Sequence, residues 1–153
     1  MSMSGSQTFQ QVTKETLEEH RQIHFYLDQI SRTLEALEQS RDTEPMRRLA
    51  AQIEGLKERL LEHHQAEERG GVFQSILEIM PECRVEISRL INQHDRMIEI
   101  LEMARIHAQH GSAAEAEGLR VDLKNFLEMF RQHERNEDRL LKRALERESR
   151  SLT

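Results

Sequence analysis

The chain has 153 residues, a formal net charge of −6, 33% charged and 37% apolar residues, one cysteine and no tryptophan. That length suits one domain around one core, and the acidic balance argues against nucleic acid as a partner. Cys83 alone cannot form an internal disulfide, and no apolar run approaches the roughly 18 residues that span a bilayer.

The start, Met1 to Gln7, is polar and lacks the apolar segment of a secretion signal. A cytoplasmic, reducing location is therefore expected, with no membrane partner. Prolines are confined to Pro45 and Pro81, and β-branched residues are sparse. The chain thus reads as all-α, a single domain over residues 1–153.

The first helix is expected over 13–39, with Leu17, Ile23, Leu27, Ile30, Leu34 and Leu37 at spacings of three and four. Ser40 to Pro45 reads as a turn, with Pro45 placed in the first turn of a second helix over 45–69. Its apolar line is Leu49, Ile53, Leu56 and Leu60, continued by His63 and Glu67. Gly70 and Gly71 break that helix, and a short extension reaches residue 80 before Pro81. A third helix is expected over 82–109, with Ile87, Leu90, Met97, Leu101 and Ala104 on one face. After a turn near Gly111, a fourth runs over 115–148. Its line is Leu119, Leu123, Phe126, Phe130, His133, Glu137, Leu140 and Ala144. Short connections between long helices predict an antiparallel up-down-up-down four-helix bundle.

The two halves resemble each other. A shift of 74 lays Leu17, His20, Ile23 and Leu27 over Ile91, His94, Met97 and Leu101. A shift of 70 lays Ile53 to Glu67 over Leu123 to Glu137. Such self-similarity predicts a repeated helix pair around a pseudo-twofold axis.

His63–Glu67 and His133–Glu137 each place an imidazole and a carboxylate one helical turn apart. With 23 glutamates in the chain, chance supplies about one such pair among eight histidines, so spacing alone is weak. Position on the apolar line is stronger. A buried glutamate is costly unless it is paired, protonated or metal-bound, and two of them call for a shared compensating charge. Counting outward from the turns puts His20, His63, His94 and His133 at one height, because equal distance from an antiparallel turn means equal axial level. Imidazole with carboxylate suits iron, manganese or zinc, and two bridging carboxylates favour a binuclear site.

The runs Glu18-Glu-His20-Arg-Gln-Ile23, His63-His-Gln-Ala-Glu-Glu68 with Phe73, Asn92-Gln-His94 and His133-Glu-Arg-Asn-Glu-Asp138 resemble the hemerythrin, or HHE cation-binding, family over about residues 13–145. The resemblance implies a four-helix bundle with two iron ions, oxo- and carboxylate-bridged, that binds dioxygen. It carries ligand roles to His20, His63, Glu67, His94, His133 and Glu137. The oxygen-carrying members have a further histidine where this chain has Ile98, and an aspartate where it has Asp138. Glu137 fits the apolar line better than Asp138. The pseudo-twofold maps His24 onto Ile98, so His24 is a candidate replacement ligand.

Other side chains have plainer expectations. His64 is expected beside the line, exposed or supporting a ligand, with Glu68 a solvated charge. His107 and His110 are expected at the surface, as is Tyr26. Phe73, Phe126, Phe130 and Met97 are expected in the core.

Three functions follow. The first is binding, sensing or storage of dioxygen or another small diatomic. The second is a di-iron enzyme or stress protein acting on peroxide or nitric oxide, or donating iron for repair, which the free Cys83 weakly favours. The third is a bundle without metal.

Overall fold

The structure, a computed structural model, describes residues 8–39 and 44–151. Most of the expected first turn, including Asp42, lies outside the described residues. Among those described, the chain is helical without strands: α1 (Phe9–Gln39), α2 (Glu44–Glu68), α3 (Val72–Ile79), a single 3-10 turn (Pro81–Cys83), α4 (Arg84–His110) and α5 (Ala113–Ser151).

Helix ends follow from local chemistry. α1 begins four residues before the expected position, because the Thr8 hydroxyl accepts the backbone N–H of Gln11 at 3.1 Å. The early turn then buries Phe9. α5 likewise starts early: Ser112 accepts the N–H of Glu115 at 3.3 Å, in a Ser-x-x-Glu sequence that suits a helix start. α4 stops at Gly111, whose φ of 71° is left-handed, with its N–H bonded to the His107 carbonyl. Between α2 and α3, Gly70 has φ 83°, and a Cβ on Gly71 would lie 2.1 Å from the Ala66 carbonyl oxygen. No other residue fits at Gly71 without moving the backbone.

The buried side chains fall into two apolar clusters. One gathers Ile23, Leu27, Leu49, Ile53, Leu56, Leu60, Met97, Leu101, Leu123, Phe126 and Phe130. The other gathers Phe9, Val72, Phe73, Ile76, Met80, Cys83, Ile87, Leu90, Leu140, Leu141 and Ala144. Each fully buried Leu or Ile contributes on the order of 1.5–3 kcal/mol. Met97, Phe73, Phe126 and Phe130 are core residues, as expected.

Leu17 is a correction: it is 45% exposed, beside Lys14, Glu18, Arg21 and Leu145. The inward line of α1 runs instead through Thr13, Thr16 and His20, because the four-residue step from Thr16 to His20 holds the same face. Tyr26 is half-buried, packed on the first cluster and against Gly55, not at the surface.

Contacts between helices join residues whose numbers rise on one helix as they fall on the other. On α2 and α4, Glu54 meets Arg105 at 3.4 Å and Lys57 meets Glu102 at 2.9 Å. On α4 and α5, Glu86 meets Arg143 at 3.4 Å, while His107 meets Glu115. Arg120 on α5 reaches Glu38 on α1 at 3.5 Å, and Glu134 reaches His24 at 2.8 Å.

Candidate metal centre

Between the two apolar clusters lies one polar layer. α1 supplies His20, α2 supplies His63 and Glu67, α4 supplies His94, and α5 supplies His133 and Glu137; all six are buried. The rings of His20 and His63 are 4.9 Å apart, and those of His94 and His133 are 5.0 Å apart. Each side chain arrives because it continues an apolar line of its helix, the face that must turn inward.

The contacts obey the two shifts seen in the sequence. His63 Nε2 and His94 Nε2 each lie 3.2 Å from Glu67. His20 Nε2 lies 3.1 Å and His133 Nε2 3.4 Å from Glu137. All four Nε2 atoms thus face two carboxylates, 2% and 0% exposed.

The outward Nδ1 atoms are held too. His63 Nδ1 donates to Glu19 at 2.9 Å, His94 Nδ1 to Glu68 at 2.8 Å, and His133 Nδ1 to Gln93 Oε1 at 2.7 Å. Carboxylate and amide oxygens only accept, so these three Nδ1 atoms carry the proton. Each Nε2 is left with its lone pair turned inward, the tautomer a metal ligand requires. His20 Nδ1 is 3.7 Å from Glu134 and 3.9 Å from Asp138.

Without a cation this layer is poorly satisfied. Both oxygens of Glu67, both of Glu137, His94 Nε2 and His133 Nε2 are buried without a hydrogen-bond partner. Such groups cost free energy unless something else compensates them. Burial, with Glu137 alongside, drives the Glu67 carboxyl well above its usual range. Burial alone would also raise Glu137, but Glu67, His133 and His20 beside it hold it ionised. His94 is pushed down to about 4, mainly by burial. The donors gather in two overlapping groups, either of which could hold a metal ion: His20, His63, Glu67 and Glu137, and Glu67, His94 and His133. Nitrogen and oxygen donors without thiolate fit iron, manganese or zinc.

A family model for the hemerythrin HHE cation-binding domain matches residues 11–145. The chain belongs to this family. No curated protein and no solved structure matches it. The hemerythrin assignment agrees with the donor layer, since a cation-binding domain needs such a cluster of buried imidazoles and carboxylates.

Of the seven metal-ligand candidates, the hemerythrin layer brings six together and leaves His24 outside. His24 is one turn beyond His20, half-exposed, its Nε2 held by both oxygens of Glu134 at 2.8 and 2.9 Å and its ring edge-on to Phe130. Asp138 has a half-exposed side chain, whereas Glu137 is fully enclosed.

Of the two places expected for His64, exposed or supporting a ligand, the structure shows the second. It is 4% exposed and stacks face to face on His94, with centroids 3.6 Å apart. Burial, then the nearby imidazoles, pushes it down to about 2, so it is neutral. The wide arc of α2 facing α4 explains its burial. Glu68 is not merely solvated, since it holds His94. His110 is exposed, and His107 is a partly buried link between Glu115 and Asp122. Glu19, Gln93 and Glu134 were not anticipated. The self-similarity held the signal, because Glu19 and Gln93 are related by the 74-residue shift of their helices.

Proposed function

We propose that the chain is a hemerythrin-type protein holding two iron ions on His20, His63, Glu67, His94, His133 and Glu137, where it binds dioxygen or another diatomic. Manganese and zinc suit the same donors and are the alternatives for the metal. The observation that carries the reading is the convergence of four inward Nε2 atoms on two buried carboxylates that lack other partners. The opposed numbering of the interhelical contacts supports the antiparallel up-down-up-down sense, with one domain over the chain. No helix among the described residues is long and apolar enough to cross a membrane. A small gaseous partner in a reducing cytoplasm suits the buried layer and the lone buried Cys83.

Two ferrous ions would supply the electrons for reversible binding of dioxygen. The protein's part is to orient the imidazoles, through Glu19, Glu68 and Gln93, and to exclude water with the flanking apolar clusters. A second reading, an enzyme acting on peroxide or nitric oxide or donating iron for repair, rests on the changed ligand set, with Ile98 standing where the oxygen carriers have a further histidine. Cys83 does not favour it, because burial raises its thiol and withholds the thiolate.

Metal quantitation with anaerobic spectroscopy tests both. We expect two irons per chain and an absorption that appears with air and reverses when oxygen is removed. Bleaching with turnover of peroxide or nitric oxide selects the enzyme. Fewer than about one metal per chain eliminates both.

A further inference from the structure

Two clefts lead from solvent toward the donor layer, and they differ in charge. The first, of about 190 Å³, lies between α1 and the bend that joins α2 to α3. Glu15, Thr16 and Glu19 line it on α1, and Ala66, Glu67 and Gly71 line it on the bend. The second, also about 190 Å³, lies between α4 and α5. Arg89 and Arg139 line it against the single carboxylate of Glu86, and it reaches Gln93, which holds His133 from outside the layer.

The first cleft has three carboxylates on its walls and, among the described residues, no basic side chain. The three run inward. Glu15 is exposed, Glu19 is half-buried one helical turn further along the same face of α1, and Glu67 is 2% exposed. Glu67 independently points to a cation, because neither of its oxygens has a hydrogen-bond partner and it faces His63 and His94 at 3.2 Å. It also lies in the last turn of α2, whose free carbonyls add partial negative charge. Such a path draws a divalent cation inward, whereas Arg89 and Arg139 oppose one in the second cleft. A neutral diatomic feels neither.

We propose that the first cleft is the path by which a divalent cation enters the layer, with Glu15 and Glu19 gathering it at the mouth and Glu67 the first donor it meets. This rests on the metal-binding reading above. Thr16, buried in the α1 wall one turn before His20, sets the width of the passage. Glu19 serves twice, since the same carboxylate holds the His63 ring at 2.9 Å. A change there would disturb the layer itself, so the residues that isolate the path are Glu15 and Thr16.

The test follows the rate at which cobalt(II) loads the full metal-free chain, by anaerobic stopped-flow absorption, and the rate at which a chelator removes it. Glu15→Lys should slow loading by about fivefold near physiological salt, and added salt should shrink the difference. Thr16→Leu should slow loading and release alike by about tenfold, because a bulkier wall raises the barrier from both sides and leaves the endpoints alone. Circular dichroism checks folding, and Ala66→Leu on the exposed rim carries the plug test if Thr16→Leu does not fold. Arg139→Glu, in the second cleft, should load at the wild-type rate, and every folded variant should still take up two cobalt ions. Wild-type loading rates in Glu15→Lys or in the folded plug variant, a reduced endpoint in either, or faster loading in Arg139→Glu overturn the path and leave the metal reading standing. Binding of less than one cobalt per wild-type chain overturns both.

Discussion

Replacing Glu67 with glutamine should stabilise the metal-free protein and abolish its stabilisation by metal. Glu67 is 2% exposed, and neither carboxyl oxygen has a hydrogen-bond partner. Burial and the charge of Glu137 raise its pKa well above 4.5, so the fold keeps a proton that the unfolded chain gives up. The native state then binds more protons, and stability falls as pH rises above the unfolded value. While that difference lasts, the slope is about 1.4 kcal/mol per pH unit. From pH 5 to 7 it amounts to at most about 2.7 kcal/mol, or about 5–10 °C in melting temperature for a chain of this size. Glutamine has the same shape and no charge, and its amide can donate to Glu137 as the protonated Glu67 carboxyl can, so Glu67→Gln removes this slope. The assay is thermal melting by circular dichroism in chelator at pH 5, 6 and 7, for both proteins. The gap in favour of the variant should widen with pH. With ferrous iron in anaerobic excess the order should reverse, because a ligand at a thousand times its Kd adds about 4 kcal/mol to wild type. A chelated variant that melts below wild type, or a gap that does not change with pH, would refute the claim that Glu67 is a strained acid relieved by a cation.

Three further outcomes follow from named contacts. His64 sits near a pKa of about 2 in the fold against an ordinary 6.5, so its share of stability is complete above pH 6.5 and is lost as pH falls toward 2. His64→Leu should therefore spare the metal-free protein about 2 kcal/mol of loss between pH 6.5 and 5 in urea titrations, an effect opposite in sign to that of Glu67. His24→Ala should keep wild-type metal content by mass spectrometry or elemental analysis, whereas His63→Ala should lose it, since only His63 faces the donor layer. Gly71→Ala should cost about 1–3 kcal/mol in urea titrations, because its Cβ would meet the Ala66 carbonyl at 2.1 Å.

The donor layer was legible because inward-facing polar residues break an apolar line, and a line of leucines and phenylalanines marks its own face. His63, Glu67, His133 and Glu137 were readable in this way, and His20 and His94 from the repeat. The less legible residues lie at the margins of that line. Leu17 is apolar but sits off the buried face of α1, where Thr13 and Thr16 occupy the inward positions. His64 is polar yet buried, because the neighbouring α4 covers a wider arc of α2 than one line of residues describes. Helix starts were missed where a hydroxyl cap, at Thr8 and Ser112, lies upstream of the first apolar residue. The partners of the imidazoles escaped notice because their role depends on which helix stands opposite, and one helix's sequence does not show that.

The polar layer divides the core, and that division bears on how the protein tolerates its own site. Leu27, Leu49, Leu56, Leu60 and Phe126 lie in one apolar cluster, while Ile76, Ile87, Leu90 and Leu140 lie in the other. Both clusters draw side chains from α2 or its α3 extension and from α4 and α5, so each ties several helices together without help from the layer. A handful of strained polar groups at about 1–3 kcal/mol each is smaller than the sum of two such clusters, each of whose large buried residues adds about 1.5–3 kcal/mol. The six donors are thus framed on both sides by apolar packing that reaches all the long helices, so a change in either cluster reaches the layer through the helices that carry its ligands.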